Sequence, residues 1–506
     1  MKTLLLILSL FYLISLHAQD NNNNKIIIGT IDSVYSKILG EQRKIWVYVP
    51  NSGDQNTIFL QQHYPVVYLL DGDAHFYSVM GMIQQLSEVN GNTVCPEMII
   101  VGIPNTDRTR DLTPTHVTSG PYVDSNFVRT TGGGEKFTTF IQQELMPHID
   151  SLYPTAPYRM LIGHSLGGLM VVNTLINHTD MFNAYLAIDP SLWWDNQKLL
   201  KQAEMALQQK NFQNKTLFLA IANTMNDGMD TMKVVHDTAN ATLHIRSILE
   251  FAKVLDANPA NGLRWSYKYY DNDTHGSVPL IAEYDALRFM FDFYQMKFAN
   301  KLFDSSFSAD SSVNLLQQHF KKVSQQMNYT VLPPEQMVNG LAYGCLQNSQ
   351  MDKAYAFFKM NVDNYPNSSN VYDSYGDLLA AEKDTTNAIS NYKKALAIQD
   401  NDETKRKLNE LEGKEVFTLT PQQLQQYAGD FEIENVAVTV TFVVRDNALY
   451  AVVHGQENSQ LLPVSPNIFT VKNKSGYRIQ FDMDGDKAVS FTSTQPDGVF
   501  KGHVKK

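Results

Sequence analysis

The sequence predicts an α/β fold with a mostly parallel sheet over residues 25–300, then an α-helical segment over 310–412 and a small antiparallel β domain over 416–506. Three observations predict it. Up to about residue 300, short apolar runs alternate with stretches whose apolar residues fall at helical spacing. That alternation is the mark of a parallel sheet covered on both faces. Strand-like runs then vanish and an internal repeat appears. Past residue 416 short alternating runs return, joined by turn dipeptides.

Each element has its own warrant. "RKIWVYVP" (43–50) is rich in β-formers and reads as a strand. "YPVVYLLDG" (64–72) is a continuous apolar run closed by Asp-Gly, as a buried strand requires, and "EMIIVGIP" (97–104) repeats the pattern. Over 135–153, Phe137, Phe140, Ile141, Leu145 and Ile149 share one helical face. "YRMLIGHS" is the next strand and "LMVVNTLINH" the next helix. "FNAYLAIDPS" (182–191), "KTLFLAIAN" (215–223) and "LRWSYKYYDNDTHG" (263–276) supply further strands, the last with a trailing loop. "VPLIAEYDALRFMFDFY" closes the region as a helix.

Between 310 and 412, "VNGLAYGCLQNSQMDKAYAFFKMNVDNYPNS" overlays "YDSYGDLLAAEKDTTNAISNYKKALAIQDND" at a shift of 34. Ala342 falls on Gly376, Ala354 on Ala388 and Phe358 on Tyr392. Small residues facing aromatics suit tightly packed helices, and the spacing resembles tetratricopeptide repeats. Helix 312–329 is expected to add a third layer. The last region has Asp-Asn, Pro-Asn and Asp-Gly turns between short runs, an antiparallel module. Its "LQQYAGDFEI" resembles the start of small β domains appended to some secreted bacterial hydrolases.

Composition sets limits. A chain of 506 residues with 43% apolar content can build several cores, about two to four domains. A net charge of −11 argues against general nucleic-acid binding, which needs a basic face. The opening "MKTLLLILSLFYLISLHAQD" has a positive start, an apolar core and Ala18 at a cleavage point, the features of a signal peptide over 1–18. Its apolar run is shorter than the roughly 20 residues of a membrane span. No cysteine follows it to carry a lipid, so a secreted or periplasmic chain is expected. The two cysteines, Cys95 and Cys345, are 250 positions apart, and buried thiols are expected rather than a disulfide framework.

The chemistry centres on Gly163-His164-Ser165-Leu166-Gly167, a G-x-S-x-G pattern between a strand and a helix. A nucleophilic serine at such a turn sits in strained backbone space that neighbouring glycines leave open, and the helix N-terminus favours negative charge nearby. A serine hydroxyl needs a base. Of the 13 histidines, His275 follows a strand in the loop "DNDTHGSVP", where α/β-hydrolases carry theirs. His164, His178, His236 and His244 are less suitable: the first lies inside the turn, the others on helix-like stretches. The orienting acid is expected after "KTLFLAIAN", in "TMNDGMD". Asp227 is preferred, Asp230 is the alternative and could instead cap a helix, and Glu250 is an outside candidate.

Together "VYLLDGDAHF", "GHSLGG", "SLWWD" and "THGSVP" resemble the putative esterase (esterase D-like) family of α/β-hydrolases over roughly 30–298. That family includes enterochelin-type siderophore esterases, feruloyl and acetylxylan esterases, S-formylglutathione hydrolases and mycolyltransferases. The resemblance implies Ser165 as nucleophile, His275 as base, and an oxyanion hole from the amides of Leu166 and Asp73. It implies no cofactor. Many members carry a glutamate near Asp227, so the acid stays open. Arg108 and Arg110, in the loop 105–116, could hold a carboxylate or catecholate, or merely brace that loop. Trp193 and Trp194 could stack on a sugar or aryl ring, or be core. No metal-ligand cluster stands out in the sequence.

The expected function is a secreted serine ester hydrolase working through an acyl-enzyme on acyl or feruloyl esters of carbohydrate, or on siderophore lactones. Acyl transfer of the mycolyltransferase type is one alternative. A non-catalytic protein that recruits a peptide or protein partner through its helical repeats is another.

Overall fold

The structure, a computed structural model, describes residues 27–50, 62–434, 438–456, 458–472, 474–495 and 498–505. The expected signal peptide lies outside them. The first region is an eight-stranded sheet: β1 (Thr30–Ser36), β2 (Glu41–Tyr48), β3 (Tyr64–Leu70), β4 (Ile99–Ile103), β5 (Thr155–His164), β6 (Ala184–Ile188), β7 (Thr216–Ala222) and β8 (Arg264–Tyr270). Its spatial order is β1-β2-β4-β3-β5-β6-β7-β8. The pairings β1–β2 and β2–β4 are antiparallel, and from β4 to β8 the sheet is parallel. Every residue of β3, β4 and β6 is buried, so an unbroken apolar run suits these central positions. β1 is absent from the sequence-based list because only Val34 and Ser36 of "TIDSVYS" are buried, which leaves no apolar alternation to detect.

Two apolar layers cover the sheet. One takes Leu169, Val172 and Leu175 of helix α2 (Leu166–Asn177) and Ile245, Ile248 and Phe251 of α3 (Leu243–Asp256). The other takes Phe76, Val79 and Ile83 of α1 (Gly72–Ser87) and Val278, Ala282 and Leu287 of α4 (Val278–Met290). The helix expected over 135–153 forms, but with a π segment at Ile141–Leu145. Pro147 follows it; proline supplies no N–H and crowds the carbonyl four residues back, and the wider turn accommodates both.

Helix α5 (Ala309–Met327) begins the helical segment and inserts Val323 and Met327 into the second sheet layer. Two antiparallel hairpins follow, α6 (Glu335–Gln347) with α7 (Met351–Asn364), and α8 (Ser369–Ala381) with α9 (Thr385–Ile398). Their helices start 34 residues apart, from 335 to 369 and from 351 to 385. A Cβ on Gly376 would lie 2.6 Å from the Tyr392 ring, so the second hairpin closes only around glycine. α10 (Asp402–Leu411) packs on α9.

The C-terminal region is a closed eight-stranded antiparallel barrel, with β9 (Gly429–Ile433) sealing β10 (Thr439–Arg445) to β16 (Gly498–Val504). Between them run β11 (Ala448–Val453), β12 (Ser459–Ser465), β13 (Ile468–Val471), β14 (Lys474–Asp484) and β15 (Lys487–Gln495). Phe431, Phe442, Phe469, Phe481 and Phe491 fill it, mostly edge to face. Cys95 and Cys345 are both buried and free. Among the described residues no helix is long and apolar enough to cross a membrane.

Candidate active site

Ser165 sits between the end of β5 and the start of α2, with φ 59° and ψ −114°. A side chain rarely tolerates this backbone, and the surroundings hold it there. The Ser165 amide donates to the Ile188 carbonyl, and its own carbonyl accepts from Ser191, each at 3.0 Å. Gly163 makes the turn possible: a Cβ there would lie 2.4 Å from the Gly167 carbonyl oxygen. The result is a hydroxyl standing clear at the carboxyl end of the parallel strands, where ligand-facing loops of such sheets gather.

His275 comes to it from the loop after β8. Its Nε2 lies 3.0 Å from Ser165 Oγ. The loop is braced: the Ser277 hydroxyl donates to Asp273 at 2.9 Å and accepts from the Thr274 amide at 2.9 Å. Asn223, at the end of β7, clips it further through bonds to the carbonyls of Asp271 and Asp273.

The acid departs from expectation. Asp227 is exposed, and Asp230 caps a short helix by accepting the amides of Met232 and Lys233. Neither pairs with His275. Glu250 lies on the exposed side of α3, beside Lys253. The carboxylate facing His275 is that of Asp189, directly after β6, with Oδ2 at 2.6 Å from Nδ1. Asp189 is fully buried, and its φ of 40° turns the side chain back across the strand ends. Burial by itself would raise its pKa. Hydrogen bonds from His244 and His275, and from the Ala222 amide to Oδ1 at 2.9 Å, outweigh that and hold it well below the usual carboxylate range. A buried, ionised carboxylate behind an imidazole steadies the charge that the ring gains on taking a proton.

His244 was also passed over in the sequence. It is the second residue of α3, and its Nε2 lies 2.8 Å from the same Asp189 oxygen. Only the fold brings positions 189, 244 and 275 together, so no local pattern announces the trio. The signal that existed for Asp189 was its place immediately after a buried strand, in "AIDPS".

The remaining expected residues divide. Leu166 opens α2 and Asp73 is the second residue of α1, so both amides belong to first turns that lack intrahelical acceptors. Arg108 forks onto Asp71 at 2.7 and 2.9 Å and reaches the His164 carbonyl at 3.4 Å. Arg110 is committed to Glu41 and Asp111, with contacts of 2.6 to 3.1 Å. It braces the loop rather than facing the site. Trp193 lines the cavity beside Ser165, its ring 5.0 Å from that of Tyr122. Trp194 is core, buried, with Nε1 donating to Thr115.

That cavity measures about 290 Å³ and is lined by Tyr122, Ser165, Ser191, Trp193, Thr224, Ala241, His244 and His275. A larger one of about 660 Å³ opens between residues 207–213 and 257–262, and its lining holds no nucleophile–base pair. Behind the site, His164 packs on the His275 ring at 4.5 Å, and burial pushes its pKa down to about 4, so it stays neutral there. The arrangement can move a proton from Ser165 to His275 and sustain the ion pair that results.

Comparison with known proteins places the chain in a family. Residues 36–258 match the family described as Putative esterase. Ferri-bacillibactin esterase BesA of Bacillus subtilis (strain 168) is 31% identical over 242 residues, covering 45% of this chain and 78% of that protein. The siderophore enterobactin esterase of Emericella nidulans is 32% identical over 149 residues, covering 27% of this chain and 49% of that protein. Among solved structures, an IroE-like serine hydrolase from Shewanella oneidensis has 31% identity and a TM-score of 0.55, covering 66% of this chain and 98% of that one. The chain belongs to the putative esterase family.

Proposed function

We propose that this esterase cleaves siderophore-type lactone esters through Ser165, His275 and Asp189. The observation that carries the reading is the Ser165 Oγ to His275 Nε2 contact of 3.0 Å on a strained turn. Ser165 attacks the ester carbonyl as His275 takes its proton, and Asp189 steadies the imidazolium. The amides of Leu166 and Asp73 receive the oxyanion; one such donor is worth on the order of 3 kcal/mol in the transition state. His275 then protonates the departing alcohol, and water clears the acyl-enzyme by the same route. The Tyr122–Trp193 pair offers an aromatic wall for the aryl group that a catecholate ester carries. Export through the N-terminal segment belongs to the same reading.

The test is a substrate panel with the full-length protein: a catecholate trilactone, a feruloyl sugar ester and simple aryl acetates. A fluorophosphonate probe should label Ser165, and Ser165→Ala should lose hydrolysis of every ester cleaved. Hydrolysis that survives Ser165→Ala would remove the reading. A preference for feruloyl or acetyl esters would keep the mechanism and replace the substrate. Fractionation of the producing cell with an antibody checks export.

A further inference from the structure

Asp189 Oδ2 receives two imidazole nitrogens, His275 Nδ1 at 2.6 Å and His244 Nε2 at 2.8 Å. The ester chemistry needs one of them. An ionised carboxylate only accepts hydrogen bonds, so both nitrogens that face it carry protons. The lone pair of His275 is then on Nε2, toward Ser165. Two imidazoles and a carboxylate are also the ligand set that zinc-class cations take, and here the three donor atoms lie within 4.8 Å of one another. Tetrahedral bonds of about 2.0–2.1 Å set neighbouring ligands roughly 3.3 Å apart, so the contacts of 2.6 and 2.8 Å need open by about 0.7 and 0.5 Å. Both rings line the cavity and Asp189 lies buried beneath them, so a cation can enter from the cavity.

We propose that Asp189, His244 and His275 form a reversible site for a zinc-class divalent cation, and that filling it switches the hydrolase off. The switching rests on the reading above; the binding does not. Coordination takes the Nδ1 lone pair of His275, so the ring's single proton moves through solvent from Nδ1 to Nε2. His244 shifts likewise, from Nε2–H to Nδ1–H. For neutral rings this is a change of tautomer alone, with no net proton released, and nothing is oxidised. His275 Nε2–H then points at Ser165 Oγ as a donor. It has no lone pair left to accept the serine proton, and attack on an ester stops.

The test titrates zinc chloride into full-length Ser165→Ala protein in a non-chelating buffer, followed by calorimetry. One ion per chain is expected, with at least tenfold weaker binding in Ser165→Ala carrying either His244→Gln or His275→Gln. Cobalt(II) in the same protein should give the intense visible bands of a tetrahedral centre, lost in both double variants. In the wild type, zinc should abolish aryl acetate hydrolysis and a chelator should restore it. Failure of Ser165→Ala to bind zinc stoichiometrically overturns the proposal, as does binding that survives both histidine changes. Should the double variants unfold, the cobalt spectrum of Ser165→Ala decides: without tetrahedral bands the site is refuted. A wild type that binds zinc yet hydrolyses no ester even when a chelator keeps it metal-free would sink the esterase reading and leave the site standing.

Discussion

At the residue scale the decisive group is Asp189. Its carboxylate is buried and faces His275 at 2.6 Å, whereas Asp227 stands in solvent. Asp189→Asn should therefore lower kcat/KM on an activated ester by on the order of 10³- to 10⁴-fold, because the amide holds the wrong imidazole tautomer. Asp227→Asn should leave kcat/KM unchanged. The reverse outcome in steady-state assays would return the role to the loop after β7. Glu283 makes a different prediction. It lies on α4, buried, with Ser78 at 3.5 Å and His75 at 4.0 Å, and burial lifts its pKa from 4.5 to about 8. Between those values the folded chain keeps a proton that the unfolded chain gives up. Stability therefore falls as pH rises through that window. Glu283→Gln keeps the neutral shape, so it should melt like the wild type near pH 4.5 and above it at pH 9, by on the order of a few kcal/mol. Calorimetric scans at the two pH values check this.

At the scale of elements, the turn between β5 and α2 is a steric contract. Gly163→Ala sets a methyl against the Gly167 carbonyl, backbone against which no side chain can yield. Loss of activity together with a drop of several degrees in Tm is expected, read by assay and thermal unfolding. The helical segment carries a half-buried ionic knot: Lys407 of α10 reaches Asp373 at 2.7 Å and Asp377 at 2.9 Å on α8. Tyr343 of α6 and Tyr392 of α9 also donate to Asp377. Lys407→Met would leave these carboxylates without their cation, at a cost of roughly 1–3 kcal/mol, measurable by denaturant unfolding. Parallel strands were readable because a strand covered on both faces must be apolar throughout. β1 was not, since one of its faces meets solvent and its sequence says little. The 34-residue repeat was readable because helix packing demands small residues opposite rings, and Gly376 against Tyr392 shows that demand directly.

At the scale of the whole molecule, the three regions are tied unequally. α5 lends Val323 and Met327 to the core of the sheet region, so the helical segment is part of that region's stability. The barrel has its own core, and the bond from Arg406 to the Pro463 carbonyl, 2.9 Å, is a polar link to α10. Removing residues 416–506 should keep ester hydrolysis and delete a separate melting transition. Removing everything past residue 305 should expose the surface under α5 and yield aggregated protein, which size-exclusion chromatography reads.

The sequence by itself determined the parallel strands, the helical repeat, the barrel's β character and the strand-to-helix turn that carries Ser165. Each of these is a local matter: a run, a period, or a turn whose residue types follow from backbone geometry. Which carboxylate faces His275, and that a second histidine shares it, only the tertiary structure decided. Asp189, His244 and His275 lie on three separate elements, and a hydrogen bond of 2.6 or 2.8 Å depends on how those elements end in space, not on how they are spelled.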